Sequence, residues 1–206
     1  MTSPASDAAV LQTATSLVVL AASTYQSLQT SPALAAATGP GGGGASGLGP
    51  GGTALVRDHV ADALAALSGA RSALGEATRT AGARVQQAPD PVLAPVVTAA
   101  LATVRTPGDA VGVALVVEDA LAQTLVADVS LATAPAVRGL AASLGTAAAG
   151  RQARLLVVSS LLAAGAGPLV VAPPDLTRLP ASTGTVGFPD ARFPTVKASP
   201  PTEGAL

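Results

Sequence analysis

An all-α chain arranged as a four-helix bundle is the fold class this sequence predicts, and three observations predict it. Long runs of alanine, valine and leucine recur, most with a helix-start signal just ahead of them. No run of alternating apolar and polar residues competes as a strand. Two stretches unsuited to helix separate or follow those runs. One is GPGGGGASGLGPGG at 39–52; the other is a tail, 167–206, with prolines at 168, 173, 174, 180, 189, 194, 200 and 201.

The elements follow in order. Ser3–Pro4 reads as a cap with proline in the first turn, and Val10, Leu11, Leu17, Leu20 and Leu28 mark a buried helix over 4–29. The glycine-rich stretch is a linker. Its glycines resemble a phosphate cradle, but no lysine closes it and no strand precedes it. Thr53 opens a second helix to about Leu67. Residues 68–90 carry Arg71, Glu76, Arg79 and Arg84, as a helical, solvated connection would. A proline-started short helix is expected at 91–104. Thr106–Pro107–Gly108–Asp109 combines cap, proline and acidic third position, and starts a helix over 107–131. Thr133 and Pro135 start the last one, 135–164. Residues 1–166 thus form the helical domain, and 167–206 an extended or disordered tail whose one sticky segment is FPDARFPTV at 188–196.

Composition narrows function. Eleven basic against twelve acidic residues leave a net charge of −1, with no basic block, so nucleic acid has no electrostatic footprint here. Tyr25, Phe188 and Phe193 are the only aromatics, too few for base stacking. Cysteine is absent, which removes disulfides, thiolate nucleophiles and thiolate-bound metals. Only 11% of residues are charged, and a surface that sparse favours self-association or an apolar partner. The uncharged stretch LLVVSSLLAAGAGPLVVAPP at 155–174 raises a membrane span, yet Gly165, Gly167 and Pro168 interrupt it. Membrane or envelope association is therefore an alternative and not the preferred reading. The first basic residue is Arg57, so no signal-peptide n-region is present. The chain as it stands reads as cytoplasmic, or as exported if an upstream signal has been removed; the location stays open.

Four stretches together resemble the ferritin-like superfamily, in its bacterial and actinobacterial branch. VLQTATSLVVLAASTYQ matches a first helix with a tyrosine seven residues after a glutamate position; Tyr25 fits, and Val18 stands where the glutamate would be. VQQAPDPVLAPVV at 85–97 is similar to the connection of that branch. GVALVVEDALAQTLVADVSL at 112–131 matches a third helix with Glu118, and GTAAAGRQARLLVVSSLLA at 145–163 a fourth. An internal echo accompanies this: 16–25 aligns with 116–125, with Ala22 on Ala122 and Thr24 on Thr124.

The resemblance implies a carboxylate-bridged di-iron or di-manganese centre, with a glutamate from each of two helices and Glu-x-x-His from each of the others. Carried over, the first glutamate is Val18. The second helix reads Val56–Arg57–Asp58–His59 and keeps only the histidine. The third keeps Glu118. The fourth reads Arg151–Gln152–Ala153–Arg154 and keeps neither ligand. Arginine is never deprotonated in a protein and cannot ligate a metal. The positions Val18, Val56, His59, Glu118, Arg151 and Arg154 therefore describe a degenerate site, with no metal and no cofactor expected. A Glu118–Arg154 ion pair, or one with Arg151, would replace the metal's charge, with His59 hydrogen-bonded nearby; the alternative leaves both arginines in solvent. Asp58 and Asp62 belong with Arg57 on a solvated face. No serine–histidine–acid set can be assembled. The expected role is non-enzymatic: structural, binding or interaction, as a homo-oligomer, with the tail as a possible contact to a protein partner. The alternatives are a metal-binding protein or oxidoreductase of the parent type, and a bundle core that takes an apolar ligand.

Overall fold

In the computed structural model, the helices over Asp7–Gln29 and Pro107–Leu131 begin at residues whose side chains accept first-turn amides. The structure describes residues 6–35, 48–170 and 194–206. Helix α1 spans Asp7–Gln29, not 4–29 as expected: Ser6 is extended and is the cap, its hydroxyl accepting the Ala9 amide at 3.2 Å, so the Ser3–Pro4 signal does not start this helix. A single turn, α2, covers Pro32–Ala35. Helix α3 runs Gly49–Thr80, α4 Leu93–Ala102, α5 Pro107–Leu131 and α6 Pro135–Ala163, followed by a 3-10 turn at Gly167–Val170. No strand occurs among the described residues, and the fold is all-helical.

The boundaries of α5 follow the expected cap. Thr106 accepts the Asp109 amide, while the Asp109 carboxylate accepts the Thr106 amide, satisfying two exposed donors reciprocally. The start of α6 is held from a distance. Asp7, at the head of α1, accepts the amides of Thr133 at 2.7 Å and Ala134 at 3.0 Å, and the Thr133 hydroxyl at 2.8 Å.

Helix α3 departs furthest from the expected bounds of 53–67. Residues 49–52, assigned to the linker, form its first turn, while 39–47 lie outside the described residues. At its other end Ala70, Leu74 and Thr78 continue the buried stripe of Ala63 and Leu67, so the helix persists for three further turns. Arg71, Glu76 and Arg79 lie on its outer side, where charge does not stop a helix. Gly82, at φ 71°, takes the left-handed conformation that ends it. The remaining connection is not a solvated helix. It runs irregularly back along α1, with Gln12 donating to the Arg84 carbonyl at 2.7 Å and the Asp90 amide donating to Ser16 at 3.2 Å. Asp90 then accepts the amides of Val92 and Leu93, starting α4.

Contacts between named residues fix the helix directions. Tyr25 meets Glu118 while Asp7 meets Thr133, so α1 and α5 are antiparallel. Tyr25 approaches His59 and Gln12 reaches Arg84, which makes α1 and α3 antiparallel as well. Glu118 pairs with Arg151 and Gly145 lies against Leu125, giving the same relation between α5 and α6. By elimination α3 and α6 run antiparallel, but they touch only sparsely, while α5 lies broadly against both α1 and α6. Leucines 11, 28, 67, 74, 121 and 125 fill the interior, each burial worth roughly 1.5–3 kcal/mol. Helices α1 and α5 are long and apolar enough to cross a membrane, yet most of each such stretch is buried inside this fold.

The described end of the tail is docked rather than loose. The Ser199 amide donates to Thr124 at 2.8 Å, the Thr13 hydroxyl to the Pro201 carbonyl at 2.9 Å, and the Gly204 amide to Thr13 at 3.1 Å. Gln86 donates to the Gly204 carbonyl at 2.7 Å. Residues 188–193 of the sticky segment lie outside the described residues.

Candidate functional site

Glu118 is the one glutamate at full burial, and its surroundings define the site. It stands midway along α5 with no exposed surface, where an unpaired charge would cost several kcal/mol. Arg151 on α6 meets it as a fork: Nε lies 2.7 Å from Oε1 and Nη2 3.0 Å from Oε2. The Tyr25 hydroxyl of α1 donates to Oε1 at 2.9 Å. Burial pushes the Glu118 carboxyl upward in pKa, and Arg151 and Tyr25 pull against that. Three donors on two oxygens suit an ionised carboxylate, which only accepts. The Tyr25 hydroxyl is pushed far up by burial and by the neighbouring carboxylate, so it stays a neutral donor.

His59 on α3 completes the cluster. Its Nε2 lies 3.5 Å from the Tyr25 hydroxyl, a long contact, and the two rings sit 6.2 Å apart at 55°. The ring is 6% exposed, and burial lowers its pKa to about 4, with Arg154 and Arg151 adding to the effect. It is a neutral imidazole at pH 7.

The structure thus brings together Glu118, Arg151 and His59 of the expected positions; Val56 and Arg154 line a cleft beside His59, and Val18 lies apart on α1. The preferred ion pair, Glu118 with Arg154, is corrected: Arg151 makes it. The reason lies in helix geometry, because Arg151 shares the face of Ala148 and Leu155 that packs toward α5. Arg154 is rotated onto the face of Gly150 and Leu161 and is exposed toward α3. Val18 is fully buried and offers no ligand, two turns or about 10 Å along α1 from Tyr25. Val56 is 2% exposed and equally inert.

Those residues do not fit the di-metal centre that the resemblance implies. Three of the retained carboxylate's roughly four acceptor sites are already engaged by a guanidinium and a phenol. A cation placed there would face Arg151 directly. Among the described residues no three of His, Asp or Glu converge.

Beside Glu118, Asp119 carries a second network on the neighbouring face. Its Oδ1 accepts from Gln123 and Gln152, each at 2.7 Å, and its Oδ2 from Lys197 Nζ at 2.7 Å. Consecutive residues 118 and 119 are therefore read by consecutive residues 151 and 152. Asp128, three turns beyond Glu118 on the same face of α5, was not anticipated. It is fully buried, neither oxygen has a hydrogen-bond partner, and burial raises its pKa to about 7. The three-and-four spacing of 118, 121, 125 and 128 is visible in the sequence and would have flagged it.

Because α3 and α6 meet sparsely, a cleft of about 730 Å³ opens between them, within the size range of small-molecule sites. Its polar residues gather at one end: Asp58, His59 and Asp62 from α3, and Arg154 from α6. Its aliphatic residues continue away from them in the direction of the 3-10 turn, with Leu55 and Val56 facing Val157, Val158 and Leu161, and Leu169 and Val170 closing the far end. His59 joins the two features, with its ring in the cleft wall and its Nε2 toward Tyr25. Asp58 and Asp62 are exposed at the rim, in keeping with their expected solvated face. Among the described residues, no serine or threonine lines the cleft. Compared with known proteins, the chain matches no family model, no curated protein and no solved structure.

Proposed function

We propose that this chain is a ferritin-like four-helix bundle that has replaced its di-metal centre with an ion pair and serves as a non-enzymatic binding protein, its ligand seated in the α3–α6 cleft. Helices α1, α3, α5 and α6 are the four members; α2 lies in the connection between the antiparallel α1 and α3, and α4 in the one long crossover that joins the parallel α3 and α5, the connectivity of ferritin-like folds. The observation that carries the reading is the Arg151 fork on Glu118, which supplies internally the positive charge that a metal would bring. A buried carboxylate satisfied in this way needs no further ligand, and the adjacent opening is mostly aliphatic. Self-association is part of the proposal. Val92, just before α4, and Val96, one turn on, are 60% and 55% exposed and give a second copy an apolar face.

Metal content and oligomeric state, measured on one purified sample, test this. The expected result is iron and manganese far below one equivalent in a particle larger than a monomer. Near-stoichiometric metal would overturn the non-metal reading and restore the oxidoreductase alternative.

A further inference from the structure

We infer that the α3–α6 cleft takes a single-chain amphiphile with a carboxylate head, the head paired with Arg154 and the chain lying along the aliphatic walls. This rests on the ligand-binding reading above and names its ligand class.

The shape of the cleft argues for an amphiphile. Polar side chains occupy one end, within about a turn of each other on two antiparallel helices. Aliphatic side chains line the two turns beyond, as a hydrocarbon chain requires. Leu55 and Val157, on opposite lips, are 37% and 36% exposed and would be covered by such a chain.

Charge argues for a carboxylate. Arg154 points into the cleft and has no ion-pair partner among the described residues, whereas Arg151 beside it is spent on Glu118. Its planar fork matches a carboxylate in two parallel hydrogen bonds. Asp58 and Asp62 oppose an anion, but water screens all three exposed charges, and Arg154 alone offers the paired donors that fix a carboxylate in place. Toward His59, in the cleft wall, Arg154 acts more strongly than Asp62 does. His59 is neutral and adds no charge of its own.

The test uses the full chain and three probes with the same twelve-carbon tail, namely dodecanoate, dodecanol and dodecylamine. Binding is followed calorimetrically and by the ring resonance of His59, the chain's one histidine, which reports occupancy of the cleft wall. Dodecanoate is expected to shift the His59 resonance and to bind roughly tenfold or more tighter than the other two. In Arg154→Gln, an exposed position whose change leaves the fold intact, that advantage should vanish. Dodecanoate binding no better than dodecanol, or binding unchanged in Arg154→Gln, would overturn the head-group assignment while leaving an apolar ligand site in place. Tighter binding of dodecylamine would overturn it in favour of Asp58 and Asp62. Failure of all three probes to shift His59 would overturn the ligand-binding reading itself.

Discussion

Glu118, Arg151 and Tyr25 form a buried polar unit whose members are costly apart and inexpensive together. Arg151→Met should cost about 3 kcal/mol at pH 7, because it leaves Glu118 buried without its counter-charge. Glu118→Met with Arg151→Met should recover most of that loss, and urea unfolding of the two variants checks it. Below neutrality the single variant should lose less, since the orphaned carboxyl can take up a proton. His59 gives the opposite sign. Its folded pKa, about 4, lies below its ordinary 6.5, so the unfolded chain binds the proton first. Stability is therefore present above about 6.5 and is lost as pH falls toward 4; proton resonances of this one histidine should show a neutral ring at pH 5.5. Asp128 is raised instead, from 3.8 to about 7 by burial alone. Its contribution is full below 3.8 and falls away as pH rises to about 7, so Asp128→Asn should stabilise the protein at pH 8, by ~4 kcal/mol at most, and flatten its pH profile. An unchanged profile would show Asp128 to be hydrated. At this scale the sequence made Glu118 and His59 conspicuous as rare polar residues among alanines. It left Arg151 and Arg154 interchangeable, because the rotation of α6 against α5 is set by packing along the whole helix.

The starts of α5 and α6 were legible, because their signals are local chemistry, whereas α1 begins at Ser6 instead of Ser3–Pro4 and α3 begins four residues before Thr53. Thr106 to Asp109 and Pro135 act as their residue types dictate. Helix ends were less legible where charge was taken for solvation: the stripe Ala63, Leu67, Ala70, Leu74 continues under Arg71 and Glu76, and the stripe decides. The tail was the least legible element. Its hydrogen bonds join residues as far as 194 positions apart, and nothing in a run of prolines and small residues announces them. Gly204 is the sensitive point. A Cβ there would lie 2.8 Å from Ser16 Cβ and 3.0 Å from Thr13 Cα, on the buried face of α1. Gly204→Val should therefore undock residues 194–206, at a cost of about 1–3 kcal/mol. Amide exchange at Ser199 and Gly204 reads this directly: fast exchange in the variant alone is expected, and equal protection in both proteins would show that the segment is held elsewhere.

As a whole, the molecule joins a polar plug at mid-height to a cleft that opens where α3 and α6 part. The all-helical class was readable because the four long helices each keep an apolar face over many turns. The cleft was not, since it arises from two helices distant in sequence that fail to close on one another, and no local pattern records a missing contact. The central claim is that protein groups, rather than a metal, neutralise the plug. Manganese(II) titration of the full chain, followed through the His59 ring resonance, tests it most directly, because a paramagnetic ion bound at Glu118 would broaden that resonance beyond detection. The claim predicts a sharp His59 signal at one equivalent of manganese and unchanged stability; selective loss of the signal at one equivalent would contradict it.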